Sequence, residues 1–173
     1  MNIVFLDIDG VLQPYDSDLY FYDDKRIIKE LSSLHKIDYS KYYYYNVISA
    51  AFDWDKQAIS RLKYILDETK SHIIISSDWR DKNQPDKMKA LLTIHGLNKY
   101  YFADNEIIDY KDSRIKRRAL EIQSSLDKYH INNFAILDDF KELKTYYPNN
   151  AVITNNIISI DNMNECIRIL KKK

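Results

Sequence analysis

The stretch Asn2-Ile3-Val4-Phe5-Leu6-Asp7-Ile8-Asp9-Gly10-Val11-Leu12 decides the fold. Residues 3–6 form a short apolar run, which predicts a buried strand. The run ends in two aspartates one residue apart, Asp7 and Asp9, followed by Gly10. Carboxylates at the end of a buried strand cost free energy unless something compensates them. A divalent cation does so, because hard cations such as Mg2+ prefer carboxylate oxygens. Gly10 permits the sharp turn that aims backbone and both side chains at one spot. The rival reading of these residues is a strand running into an Asx-turn, and the rest of the chain must decide.

Four further runs read as strands: 72–76, 100–103, 134–137 and 151–154. Their apolar character is continuous rather than alternating, as expected of strands buried on both faces of a parallel sheet. Helical patterns lie between them. Asp53 is expected to cap a helix with Ile59, Leu62, Ile65 and Leu66 inward, and Asp86 one with Met88, Leu91 and Leu92. Ser113 is expected to cap a helix carrying Ile115, Ala119, Ile122 and Leu126, and Asp161 one carrying Met163, Ile167 and Leu170. This alternation predicts an α/β fold: a three-layer, Rossmann-like, doubly wound parallel sheet in one domain over residues 1–173. Right-handed crossovers gather the strand C-termini along one edge, where such folds bind ligands.

Residues 13–52 interrupt the alternation. They contain a predicted helix at 24–36, with Ile27, Ile28, Leu31 and Leu34 on one side, flanked by Tyr20-Phe21-Tyr22 and by Tyr42 to Tyr45. Inserted straight after the first strand, the segment is expected to form a small cap or flap over the sheet edge. The tyrosine run is read as packed or half-buried rather than as a base-stacking surface.

Lys plus Arg and Asp plus Glu both number 26, so the net charge is zero and no global field draws the chain to nucleic acid or acidic membrane. A basic cluster at 111–118 is local and needs its own explanation, whereas Lys171 to Lys173 reads as a solvated tail. Cys166 is the only cysteine, so no intramolecular disulfide forms; among Met163, Ile167 and Leu170 it reads as a core thiol. His35, His72, His95 and His130 show no zinc spacing and read as structural. With no signal peptide and no apolar run long enough to span a bilayer, a cytoplasmic protein is expected.

The chemistry collects at the strand ends. The first strand delivers Asp7 and Asp9, the second Ser76 and Ser77 followed by Asp78-Trp79-Arg80, and the fourth Asp138 and Asp139. The basic stretch Arg114-Ile115-Lys116-Arg117-Arg118 begins a helix just before the fourth strand. Two acidic strand ends, one hydroxyl strand end and a cationic helix start should converge.

These residues resemble the four motifs of the haloacid dehalogenase (HAD) superfamily of aspartate-nucleophile phosphohydrolases. Residues 5–12 resemble the first, Ile74-Ile75-Ser76-Ser77 the second, Lys116 the third and Ile136-Leu137-Asp138-Asp139 the fourth. Ser76-Ser77-Asp78-Trp79-Arg80 and Glu121-Ile122 resemble more closely the HAD-like domain of Swiss Army Knife RNA repair proteins. That family has Arg-Gly-x-Glu-Ile where this chain has Arg118-Ala119-Leu120-Glu121-Ile122. The missing glycine leaves both Lys116 and Arg118 open as the basic residue; Lys116 is the one favoured, with Arg118 in substrate binding.

The resemblance implies an Mg2+-dependent phosphoric monoester hydrolase. Asp7 is the nucleophile, forming an aspartyl-phosphate and splitting one difficult displacement into two. Mg2+ is expected on Asp7, Asp9 (through its backbone carbonyl), Asp138 and Asp139. Asp9 is the general acid and base, a role worth about 10²–10⁴-fold; superfamily phosphatases carry Asp there and ion-pumping ATPases Thr. Lys116 offsets phosphoryl charge, and Ser77 or Ser76 donates to the phosphate. Trp79 is read as packing, and Arg80 as reaching either the site or a surface ion pair. The rival reading of Asp138-Asp139, a cap on a helix at 141–147, is the less favoured. The short insertion and the RNA-repair resemblance point to an exposed phosphate, on a nucleotide or nucleic-acid end; zero net charge points away from polyanions. No obligate protein partner is inferred. The competing hypothesis is a catalytically idle relative that keeps the fold as a binding or regulatory module.

Overall fold

A computed structural model describes residues 1–16, 25–109, 111 and 113–172. Five strands form one all-parallel sheet: β1 (Asn2–Leu6), β2 (Ser71–Ile75), β3 (Tyr101–Asp104), β4 (Asn133–Asp138) and β5 (Ala151–Ile153), in the order β3-β2-β1-β4-β5. The described residues hold seven α-helices: α1 (Lys25–His35), α2 (Tyr44–Phe52), α3 (Lys56–Thr69), α4 (Lys87–Ile94), α5 (Arg114–Lys128), α6 (Leu143–Tyr146) and α7 (Ile160–Leu170). The predicted Rossmann-like α/β class and its five strands are the observed ones.

The central strand explains the layers. Ile3, Val4, Phe5 and Leu6 are all fully buried, each contributing about 1.5–3 kcal/mol of burial free energy. Alternation sends Val4 and Leu6 into one core, with Ile73, Ile75 and Leu137 and with helix residues such as Leu62, Leu91 and Cys166. Ile3 and Phe5 point the other way, with Ile74 and Ile136, against Ala119, Ile122 and Leu126 of α5 and Leu143 of α6. Cys166 is thus a buried core thiol, and burial pushes its pKa up.

Two expected caps shift. Asp55, not Asp53, caps α3, its side chain accepting from Ala58 N at 2.7 Å; Asp53 instead ends α2. Ser159, not Asp161, caps α7 in a reciprocal box with Asn162. Ser113 caps α5 as expected, accepting from Lys116 N at 3.3 Å.

Tyr20, Phe21, Tyr22 and Asp24 lie outside the described residues. Elsewhere in 13–52, Ile28, Tyr39, Tyr42, Val47, Ile48 and Ala50 join the same core as β1. The Tyr39 hydroxyl donates to the Ala90 carbonyl of α4 at 2.9 Å. In the tyrosine run Tyr42 is buried, Tyr44 and Tyr45 half-buried and Tyr43 exposed. No described helix is long and apolar enough to cross a membrane.

Candidate active site

Strand register lines up the chemistry. Leu6 pairs with Ile75 on one side and Leu137 on the other. The row continues past the strand ends: Asp7 N donates to Leu137 O at 3.0 Å and Ser76 N to Leu6 O at 2.8 Å. Asp7, Ser76 and Asp138 therefore occupy neighbouring positions. By alternation they fall on the same sheet face as Phe5, Ile74 and Ile136, the face that α5 covers.

The turn after Asp7 is tightly fixed. Thr154 Oγ1 donates to the Gly10 carbonyl at 2.6 Å. Gly10 adopts φ +69°, and a Cβ there would lie 2.6 Å from Tyr15 Oη, 2.8 Å from Tyr15 Cζ and 3.0 Å from Asp139 Cβ. Glycine is required by conformation and by space. The Tyr15 hydroxyl donates to Asp139 Oδ2, placing an exposed tyrosine at the rim. No sequence signal marked Tyr15.

The basic residue brought to the carboxylates is Arg118. Its Nη1 lies 2.7 Å from Asp7 Oδ2 and 2.7 Å from Asp138 Oδ2, and the side chain is fully buried. Lys116, the residue favoured from sequence, is exposed. Two residues along a helix is a rotation of about 200°, so the two side chains leave α5 on opposite sides. Burial works against the Arg118 charge, but Asp7 and Asp138 outweigh it and raise the guanidinium pKa further. Burial likewise pushes the Asp138 carboxyl up; Arg118 offsets part of this and Asp7 adds to it.

Asp9 is held apart from this triad. Trp79 Nε1 donates to both of its carboxylate oxygens, at 3.0 and 3.1 Å. Burial raises the Asp9 pKa, the Trp79 bond opposes the rise, and Asp7 adds to it. Trp79 thus does more than pack. Arg80, read as reaching the site or a surface partner, makes instead a buried pair with Glu121, Nη2 to Oε2 at 2.7 Å. Its Nε and Nη1 bind the carbonyls of Ser77 at 2.6 Å and Asn105 at 2.8 Å. The pair fastens the loop after β2 to α5, one helical turn from Arg118.

Asp78 sits among Arg114, Arg117 and Arg118, with nitrogens at 2.6, 2.7 and 3.6 Å. Burial opposes its charge, but the three arginines prevail and hold its carboxyl below the usual range. This accounts for part of the basic cluster.

One oxygen from each of Asp7, Asp138 and Asp139 lies within 4.8 Å of the others. Asp9 is outside that group. Hard oxygen donors in such a cluster suit Mg2+, and Arg118 alone does not neutralise three carboxylates, so the donor set fits a divalent cation. Nearby, Ser76 Oγ and Arg118 Nε and Nη2 are buried with no hydrogen-bond partner among the described residues. Ser77 Oγ is already engaged, accepting from Trp79 N at 3.4 Å. Ser76 lies in the row beside Asp7, a donor suited to an oxyanion, whereas Arg118 Nη2 faces Asp78 Oδ1 at 3.6 Å.

Residues 3–162 match the family model described as the HAD domain in Swiss Army Knife RNA repair proteins, and the chain belongs to that family. No curated protein and no solved structure matches it. HAD domains are generally hydrolases of the phosphatase type, and the three-aspartate cluster fits that class.

Proposed function

From that membership and this geometry we propose an Mg2+-dependent phosphomonoester hydrolase working through an aspartyl-phosphate on Asp7. One observation carries the reading. Asp7 and Asp138 share the Arg118 guanidinium at 2.7 Å each, while Asp9 is held separately by Trp79. A nucleophile needs nearby positive charge to meet a phosphate dianion, and a proton-transfer group must stay free of that charge.

In this reading Asp7 attacks phosphorus and Asp9 protonates the leaving ester oxygen, then deprotonates the water that hydrolyses the aspartyl-phosphate. Arg118 takes the charge-offsetting role expected of Lys116. Ser76, whose Oγ is buried and unengaged, donates to a phosphoryl oxygen. Asp7, Asp138 and Asp139 would hold the metal, with Asp9 offering its backbone carbonyl rather than its carboxylate. Bound Mg2+ supplies electrostatic stabilisation of phosphoryl charge. The described residues of 13–52 pack partly into the main core; read as a small cap, such a segment suits an exposed phosphate, on a nucleotide or nucleic-acid end, as substrate. The buried, unpaired Cys166 is compatible with a reducing cytoplasm.

Hydrolysis of an aryl phosphate with and without Mg2+, compared with Asp7→Asn, tests the proposal. Turnover should need both the metal and Asp7. Absence of Mg2+-dependent turnover on that ester and on a panel of nucleotides and oligonucleotide 3′- and 5′-phosphates would favour the idle-module alternative. If the wild type is active, the same panel identifies the substrate.

A further inference from the structure

We infer that Trp79 is the positioning residue of Asp9: its indole N–H, wedged in place by Trp54, fixes the carboxylate that carries the proton. This rests on the phosphatase reading above. Trp79 Nε1 lies 3.0 and 3.1 Å from the two Asp9 oxygens, so one donor is shared between them. A carboxylate has about four lone-pair sites, so both oxygens keep acceptor capacity for a proton.

The choice of donor matters. An indole N–H donates only. It cannot accept the proton that Asp9 must pass to the ester oxygen, as a neutral histidine could. Nor does it bring a full positive charge that would hold Asp9 ionised, as lysine or arginine would. It orients the carboxylate without competing for its proton.

The ring itself is immobilised. Trp79 is 8% exposed and packs against Trp54, with ring centroids 5.9 Å apart. Trp54 in turn stacks on His95 at 5.5 Å and 24°. His95 Nε2 is anchored 2.6 Å from the Ala50 carbonyl of α2. Trp54 Nε1 is buried with no partner among the described residues. Of the two indole N–H groups, the one directed at a carboxylate belongs to Trp79.

Asp7 attacks phosphorus, the ester P–O bond breaks with its electron pair on oxygen, and that oxygen takes the Asp9 proton. Water then attacks phosphorus, the P–O bond to Asp7 breaks with its pair returned to the carboxylate, and Asp9 takes the water proton. A mispositioned Asp9 slows the first step only for poor leaving groups, but slows the second for every ester.

Trp79→Phe keeps the packing and removes the donor. In the presence of Mg2+, kcat/KM for an alkyl phosphate should fall about 10–100-fold, and for nitrophenyl phosphate by less than about 3-fold. The kcat should fall for both. In an Asp9→Ala background, Trp79→Phe should cost nothing more, because its effect passes through Asp9. The chain has two tryptophans, so the indole N–H region of an ¹H–¹⁵N spectrum should show two resonances. Asp9→Ala should shift the one that Trp79→Phe removes and leave the other in place. Equal losses in kcat/KM on both esters, further loss in the Asp9→Ala background, or an unmoved resonance would overturn the inference while wild-type turnover sustains the phosphatase reading. If the wild type turns over neither ester nor any member of the nucleotide and oligonucleotide panel, that reading falls and this inference with it.

Discussion

Replacing Arg118 with methionine removes the shared cation and keeps a long apolar stem. The guanidinium is fully buried and lies 2.7 Å from both Asp7 and Asp138, themselves nearly inaccessible. Breaking a buried ion pair by deleting one partner costs about 3–5 kcal/mol, because the remaining charge stays buried without compensation. An unfolding entropy of about 2.1 cal/mol/K per residue over 173 residues amounts to about 0.36 kcal/mol/K. The melting temperature without Mg2+ should therefore fall by about 8–14 °C. Lys116→Met, two residues away and exposed, should stay within about 0.5 kcal/mol, or roughly 1–2 °C. Thermal melts by circular dichroism read both, and aryl phosphate turnover should be lost in Arg118→Met and kept in Lys116→Met. The buried charge-pairing role of Arg118 is refuted if Arg118→Met melts within 2 °C of the wild type, within the range expected of a surface change. Its charge-offsetting role is refuted if Lys116→Met is the variant that loses turnover.

Burial pushes Asp104 up to about 6, against about 3.9 in an unfolded chain. An acid with a raised folded pKa costs stability once ionised, so the penalty is full above about pH 6 and gone below about pH 4. Asp104→Asn keeps an acceptor for the Tyr101 hydroxyl at 3.1 Å. It should stabilise by roughly 1–2 kcal/mol at pH 8, allowing for solvent screening, and progressively less as pH falls; equal gains at pH 8 and pH 4.5 would show the pKa is not the cause. Gly10→Ala combines a left-handed φ of +69° with contacts to Tyr15 and Asp139 inside 3.1 Å, and should lower stability by about 2 kcal/mol or more. Tyr15→Ala in the same chain should recover part of that loss in a thermal melt; no recovery would place the strain in the backbone alone.

All five strands were legible because each is a continuous apolar run bounded by polar residues. Their observed limits lie within a residue of the expected ones. The two caps were less legible: Asp53 and Asp55 lie two residues apart before α3, and only the fold shows which carboxylate faces the first turn. The basic residue was harder still. Lys116 and Arg118 flank the apolar stripe of Ile115, Ala119, Ile122 and Leu126 from opposite sides, about equally far from its centre. Periodicity cannot choose between such flanks. The choice is tertiary: Glu121 lies on the Arg118 flank, and its buried pair with Arg80 turns that side toward the strand ends. Trp79 was visible as a residue but not as a donor to Asp9, since 70 positions separate the two and nothing in their spacing predicts that one will meet the other.

The Arg118 triad also bears on how the proposed metal site would relate to folding. A nest of carboxylates that waited for metal would make the metal a part of folding, and a chelator would act as a denaturant. Here a resident counter-ion, carried on a helix of the same chain, holds Asp7 and Asp138 together beforehand. On the proposed Mg2+ reading, metal loading would be an event on a finished scaffold, and a chelator should abolish turnover without unfolding the chain.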